Sequence, residues 1–225
     1  MATMRTYGDG CAIAQALDVI GERWALLVVR ELLLGPKRYT DLRQGLPNVS
    51  PNVLSQRLRD LEQAGVIRRH KLPPPAGPRV FELTDWGREL EPIVISLGHW
   101  AALSPAGLAT DLPIGADSMI LSLRARFDPR AAHGLHAIYE LQLGEDRFRI
   151  EVAHDEIEIA RGGTDQPDAT IATDPNTLTS LLWGGRPLSA AQRSGHIRTF
   201  GDERAVERFL RLFPIPEPAA TARAA

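Results

Sequence analysis

The chain has 225 residues, 44% of them hydrophobic and 24% charged, with a formal net charge of -2. That length holds one large domain or two small ones, and no apolar run is long enough to span a membrane. The single cysteine, Cys11, excludes an intramolecular disulfide and a cysteine-cluster zinc site, and the opening MATMRTYGDG has no apolar signal core, so a cytoplasmic location is expected.

CAIAQALDVIGERWALLVVRELLLG carries apolar residues at helical spacing (Ile13, Leu17, Ile20, Trp24, Leu27, Leu32), with Gly21 a point of bending and Gly35-Pro36 the stop. In YTDLRQGLP, Thr40 is the expected N-cap of a very short helix holding Leu42. Ser50 then caps a longer helix with Pro51 at its first position; Val53, Leu54, Leu58 and Leu61 form its buried stripe and Gly65 ends it. VIRRHK and PRVFELT read as two short strands around a stiff loop containing Pro73, Pro74 and Pro75. Between Pro51 and Arg79 lie six basic residues and two acidic ones. A patch of that size either steers a phosphate backbone or is a solvated face. Thr84 caps a last helix, Asp85 to Leu103, kinked at Pro92 or Gly98.

The small-residue stretch from Ser104 to Asp117 marks a boundary. Beyond it, MILSLRARF and the pair FRIEVAHDEIEIARG alternate as strands, DATIATDPNTLTSLLWGG is a strand leading into a helix, and HIRTFGDERAVERFLRLF is a strand, a turn and an amphipathic helix. The expected division is 1–105, a linker at 106–116, a second domain at 117–214 and a disordered tail at 215–225. The first domain is mainly α and the second α+β with an antiparallel sheet.

Chemistry-bearing motifs are sparse. No hydrolase elbow, phosphate loop, zinc-peptidase helix or dinucleotide fingerprint is present, so neither an enzyme nor a cofactor is expected. His133 and His136, three apart, read as surface histidines at a helix start; two ligands are too few for a metal site, and no metal is expected.

Helix, short helix, helix, hairpin, helix is the order of a winged helix-turn-helix. Residues from Cys11 through Gly21-x-x-Trp24, the Arg38-Tyr39-Thr40-Asp41-Leu42 run, SPNVLSQRL and VFELTDWGRELEPIV closely resemble the HxlR-type winged-helix regulators, relatives of the MarR group. The resemblance implies a homodimer on a roughly palindromic double-stranded operator, with the Ser50 to Ala64 helix in the major groove and the Arg69 to Arg79 wing on the flanking minor groove. LPPPAGP departs from the polar, tyrosine-bearing wing of many relatives and offers few donors of its own. DATIATDPNTLTSLLWGGRPLSAAQRSGHIRTFGDERAVERFLRLF resembles the sterol carrier protein type 2 domain, in which a sheet and helices enclose an apolar cavity. Fused to a DNA-binding module, such a domain either senses a hydrophobic small molecule or closes on itself as a dimer support.

On this resemblance Asn52, Ser55, Gln56 and Arg59 approach base edges, Ser50 and Arg57 reach phosphates, and Arg69, Lys71 and Arg79 act from the wing, with Arg38 counted among the DNA-facing residues. Capping alone also explains Ser50, and a solvated face also explains the helix arginines. Tyr39 and Trp24 are core aromatics, or else orient the recognition unit. Leu178, Leu181, Leu182 and Trp183 are the ligand-binding candidates. Cys11 is either a redox-active thiol, as in some relatives, or a small buried hydrophobe. The expected function is a dimeric transcriptional repressor. The alternative is a lipid or small-molecule binding protein whose winged helix serves dimerisation or protein interaction.

Overall fold

The computed structural model describes residues 6–71, 77–104 and 112–215. Internal contacts divide the chain into two units, 1–94 and 95–225. The expected proline loop, most of the linker and nearly all of the tail lie outside the described residues.

In the first unit the predicted opening helix is two, α1 (Ala12–Ile20) and α2 (Ala25–Leu32). Gly21 ends α1, and Trp24 takes a left-handed backbone (φ 79°) before α2 begins. A non-glycine residue there costs on the order of 1 kcal/mol or more, and the ring of Trp24, packed against the core, holds it in place. Helix α3 (Tyr39–Gly45) starts two residues earlier than expected. Its N-cap is Arg38, not Thr40, because the Asp41 carboxylate accepts the Arg38 N–H at 2.9 Å. Helix α4 (Pro51–Gln63) is capped by Ser50 as expected, with Leu54, Leu58 and Leu61 buried, but Val53 is 38% exposed and drops out of the buried stripe.

Strands β1 (Ile67–Lys71) and β2 (Arg79–Leu83) pair antiparallel from Ile67 opposite Leu83 to Lys71 opposite Arg79. Lys37 adds a one-residue third strand, exchanging backbone hydrogen bonds of 2.9 and 2.8 Å with Phe81. Thr84 caps α5 (Asp85–Arg88), its hydroxyl accepting the Gly87 N–H at 3.0 Å and donating to the Gly65 carbonyl at 2.7 Å. At Gly87 a Cβ would stand 2.0 Å from the Val66 carbonyl oxygen, so only glycine lets α5 sit this close to the hairpin. The single closing helix expected from the sequence is broken at Glu89–Leu90. It resumes as α6 (Glu91–Ala102), with Pro92, which has no N–H to bond backwards, in its first turn. The unit's core is aliphatic, with Val28, Val29, Leu32, Leu42, Leu54, Leu58 and Leu61 closed by Phe81 and Leu83 of the hairpin.

The second unit begins within α6, at Ile95, and its next helix is α7 (Ala116–Arg126), where a strand was expected from MILSLRARF. Met119, Ile120 and Leu123 fall at helical spacing and are buried, which outweighs the local alternation of Leu121, Leu123 and Ala125. Five strands follow: β3 (Ala137–Leu143), β4 (Asp146–Ala153), β5 (Glu156–Arg161), β6 (Ala169–Thr173) and β7 (Ile197–Gly201), in sheet order β5-β4-β3-β6-β7. The pairing is antiparallel as expected, except between β3 and β6, which run parallel. Helices α8 (Pro175–Leu182) and α9 (Leu188–Arg193) connect β6 to its antiparallel neighbour β7, and α10 (Glu203–Arg211) closes the unit. Tyr139, Phe148, Ile150, Ile171, Phe209 and Phe213 are fully buried, with the Tyr139 and Phe209 rings 5.1 Å apart. His133 and His136 lie in the turn before β3 and not at a helix start. His133 meets Asp155 at 3.2 Å, and the His136 ring stands edge-on to His154.

Candidate nucleic-acid interface

The approach of α4 to a partner is set by α3. The Tyr39 hydroxyl donates to the Pro51 carbonyl at 3.0 Å, and the Ser55 hydroxyl donates to the Tyr39 oxygen at 3.3 Å. Tyr39 is thus a core aromatic by its ring and a clamp on the first turn of α4 by its hydroxyl. Ser50 accepts the Val53 N–H at 3.4 Å, so its side chain is engaged in capping. Ser55 is half-buried, with its hydroxyl engaged by Tyr39.

Asn52 and Arg59 are exposed on α4. Arg59 is held by a chain of polar contacts running along and off the helix. Its Nη2 donates to Gln56 Oε1 at 2.6 Å, and Gln56 Nε2 donates to Asp60 Oδ1 at 2.6 Å. Asp60 Oδ2 takes Arg57 Nη1 at 3.0 Å, and Arg57 Nη2 meets Glu22, in the turn between α1 and α2, at 3.3 Å. Arg57 is therefore a brace and not a free phosphate contact: its side chain is only 16% exposed and spent on two carboxylates. Sequence reasoning missed Glu22 and Asp60, because nothing in the local spacing ties residue 22 to residue 57.

On the hairpin, register puts Arg69 beside Phe81 and Lys71 beside Arg79, on one side of the ladder. Arg69 reaches Glu62 of α4 at 3.0 Å and covers the Phe81 ring at 4.9 Å, so that side faces α4. Arg68, on the other side, pairs with Glu82. Lys71 and Arg79 are exposed at the open end of the ladder, where Lys71 is a strand residue and not part of the loop. Arg38, at the start of α3, is also exposed. The geometry offers an amide and guanidinium on one helix, with exposed cations beside it on the hairpin. That combination suits a grooved polyanion: planar donors for base edges and point charges for phosphates.

Residues 19–105 match the HxlR-like helix-turn-helix family, and the chain is 39% identical over 87 residues to the HTH-type transcriptional regulator YvaP of Bacillus subtilis, covering 39% of this chain and 81% of that protein. The chain belongs to the HxlR-like helix-turn-helix family. Another relative is the HTH-type transcriptional regulator YodB of the same organism, 31% identical over 86 residues, with 38% of this chain and 77% of that protein covered. Among solved structures, the reduced form of YodB matches at 30% identity with a TM-score of 0.37, covering 40% of this chain and 90% of that one. Residues 140–221 match the sterol carrier protein domain, so this HxlR-like chain carries a sterol carrier-like second domain.

In that domain the four ligand-binding candidates differ in exposure and contacts. Leu178 and Leu182 are 0% and 8% exposed and belong to the core. Leu181 is half-buried, and Trp183 is engaged twice: Nε1 donates to the Phe213 carbonyl at 3.1 Å, and the ring carries the Arg126 guanidinium 4.0 Å from its centre. Cys11 is exposed at the N-cap of α1, not the buried hydrophobe that was one of its two readings. Among the described residues no helix is long and apolar enough to cross a membrane.

Proposed function

We propose that the protein is a homodimeric, sequence-specific DNA-binding transcriptional regulator, acting as a repressor by occluding promoter DNA. In this reading α4 enters the major groove with Asn52, Gln56 and Arg59 toward base edges. Arg38, Lys71 and Arg79 contact the sugar-phosphate backbone, and Arg69 steadies the wing against α4. The observation that carries it is the combination on α4: a capped, clamped helix whose exposed face holds Arg59 pre-set by Gln56 and Asp60.

Dimerisation is supported by apolar surface that the single chain leaves bare. Helix α1 has no buried residue, and Ile13 and Leu17 are 72% and 41% exposed; on α6, Ile93, Leu97 and Trp100 are 51%, 46% and 71% exposed. A second copy would cover them and set two α4 helices against a two-fold operator. Val29 of α2 is core and is not part of that bare surface.

Sequencing the fragments that the purified protein enriches from random DNA tests the reading. The expected result is a two-fold motif with half-sites about one helical turn apart. Recovery of unrelated sequences would count against it.

A further inference from the structure

The second unit holds a pocket of about 490 Å³ at the end of α7, and none of the four residues expected from the sequence to bind a ligand lines it. Its cations are Arg126 and Arg130, and its apolar walls are Phe127, Pro129 and Pro214. His99 of α6 closes one side, its Nδ1 lying 3.4 Å from the Ala125 carbonyl.

Arg126 is the unusual member. The other half-buried arginines of this unit are engaged: Arg149 by Glu151, Arg208 by Asp202, Arg186 by the Ser194 hydroxyl, and Arg124 through the Ile159 carbonyl. Arg126 is half-buried and, among the described residues, has neither a carboxylate partner nor a hydrogen bond. It lies on the Trp183 ring, which the Phe213 carbonyl fixes in place, so one side of the guanidinium is stacked and the group lines the pocket. Desolvation depresses its pKa below the ordinary arginine value, the sign of a charge held without an anion nearby. A half-desolvated guanidinium presenting its planar fork to an apolar recess is suited to one carboxylate.

The rest of the lining limits the ligand's charge. Asp128 is also there, its Oδ1 accepting the Arg130 N–H at 2.9 Å, so two arginines are offset by one carboxylate. The remaining surplus of one positive charge suits a monoanion, and a phosphate dianion would face Asp128 with too few donors. The volume falls in the range of small-molecule sites, roughly 300–1,000 Å³.

We propose that this pocket binds a small organic monocarboxylate with an apolar body, its carboxylate on the Arg126 guanidinium and its hydrocarbon against Phe127, Pro129 and Pro214. The site stands independently of the DNA-binding reading. It lies beside α6, one residue from the exposed Trp100, so occupancy would bear on a helix with bare apolar surface.

Calorimetric titration of the full chain with sodium octanoate and, separately, with 1-octanol tests it without DNA. The expected result is one saturable octanoate site per chain, with 1-octanol at least about tenfold weaker. R126K should fall between wild type and R126M, and R126M should bind octanoate no better than it binds 1-octanol. Equal affinity for the acid and the alcohol, several weak sites per chain, no saturable heat, or undiminished octanoate binding by R126M would overturn the proposal. Should R126M not fold, the acid–alcohol comparison in wild type and the R126K affinity decide alone.

Discussion

Arg59 and Lys71 are both exposed cations of the first unit, yet they are held differently, and the difference predicts separable defects. Arg59 is oriented by Gln56, so Arg59→Ala should relax base preference at one operator position by roughly 1–3 kcal/mol of discrimination. Lys71 sits at the end of β1 opposite Arg79, and Lys71→Ala should weaken all sequences alike and reduce the salt slope by about one. Arg57 gives a third signature. Spent on Glu22 and Asp60, it should on replacement by Ala lower the melting temperature and leave the salt slope unchanged. Binding isotherms at several salt concentrations, with thermal melts of the same variants, separate the three; a uniform slope loss in all of them would mean that the helix and wing roles are misassigned. From the sequence, Asn52 and Arg59 could be placed on the outer face because helical periodicity alone exposes them. The engagement of Ser55 and Arg57 could not, since it depends on Tyr39 and Glu22, which reach α4 only through the tertiary fold.

Among the elements, the seating of α5 against the hairpin and of the β5–β6 loop against the sheet each depend on one residue. Gly87→Ala places a methyl group 2.0 Å from the Val66 oxygen and should cost about 1–3 kcal/mol in urea unfolding, the range for overpacking. A cost within error of zero would mean that α5 is loosely held. In the second unit Glu140 projects from β3 and accepts the Thr164 N–H at 2.9 Å, anchoring the loop between β5 and β6, with Gln142 and Arg147 also donating to it. The Thr164 N–H first, then the Gln142 amide, hold its pKa below the usual carboxylate value against the desolvation that would raise it, and Arg147 adds to the lowering. A carboxylate with a depressed folded pKa stabilises fully above its unfolded value of about 4.3 and loses that contribution as pH falls through the folded value. Glu140→Gln should therefore be less stable than wild type at neutral pH, with the two melting temperatures converging below about pH 4; a gap that persists into acid would rule out the charge as its source. Strand β3 itself was legible but not read: Ala137, Tyr139, Leu141 and Leu143 alternate strictly with Ile138, Glu140 and Gln142. MILSLRARF misled in the other direction, because a short apolar run suits either period and only burial of Met119, Ile120 and Leu123 on one side decides for the helix. The caps at Ser50, Thr84, Asp174 and Asp202 are local signals, and the helices they begin were correspondingly plain in the sequence.

At the scale of the whole molecule, the bare apolar residues of α1 and α6 need covering. Sedimentation at micromolar concentration should give a dimer, and the pair Leu97→Glu with Trp100→Glu should give a folded monomer with sharply reduced operator affinity. A wild-type monomer that still binds DNA would remove α1 and α6 from the interface. The most direct test of the DNA-binding reading is fluorescence anisotropy of a selected operator duplex titrated with the full chain at increasing salt. Two chains per duplex are expected, with log affinity falling linearly against log salt by about 0.9 for each phosphate neutralised. Affinity that stays flat with salt, or a selection that yields no preferred duplex, would contradict it.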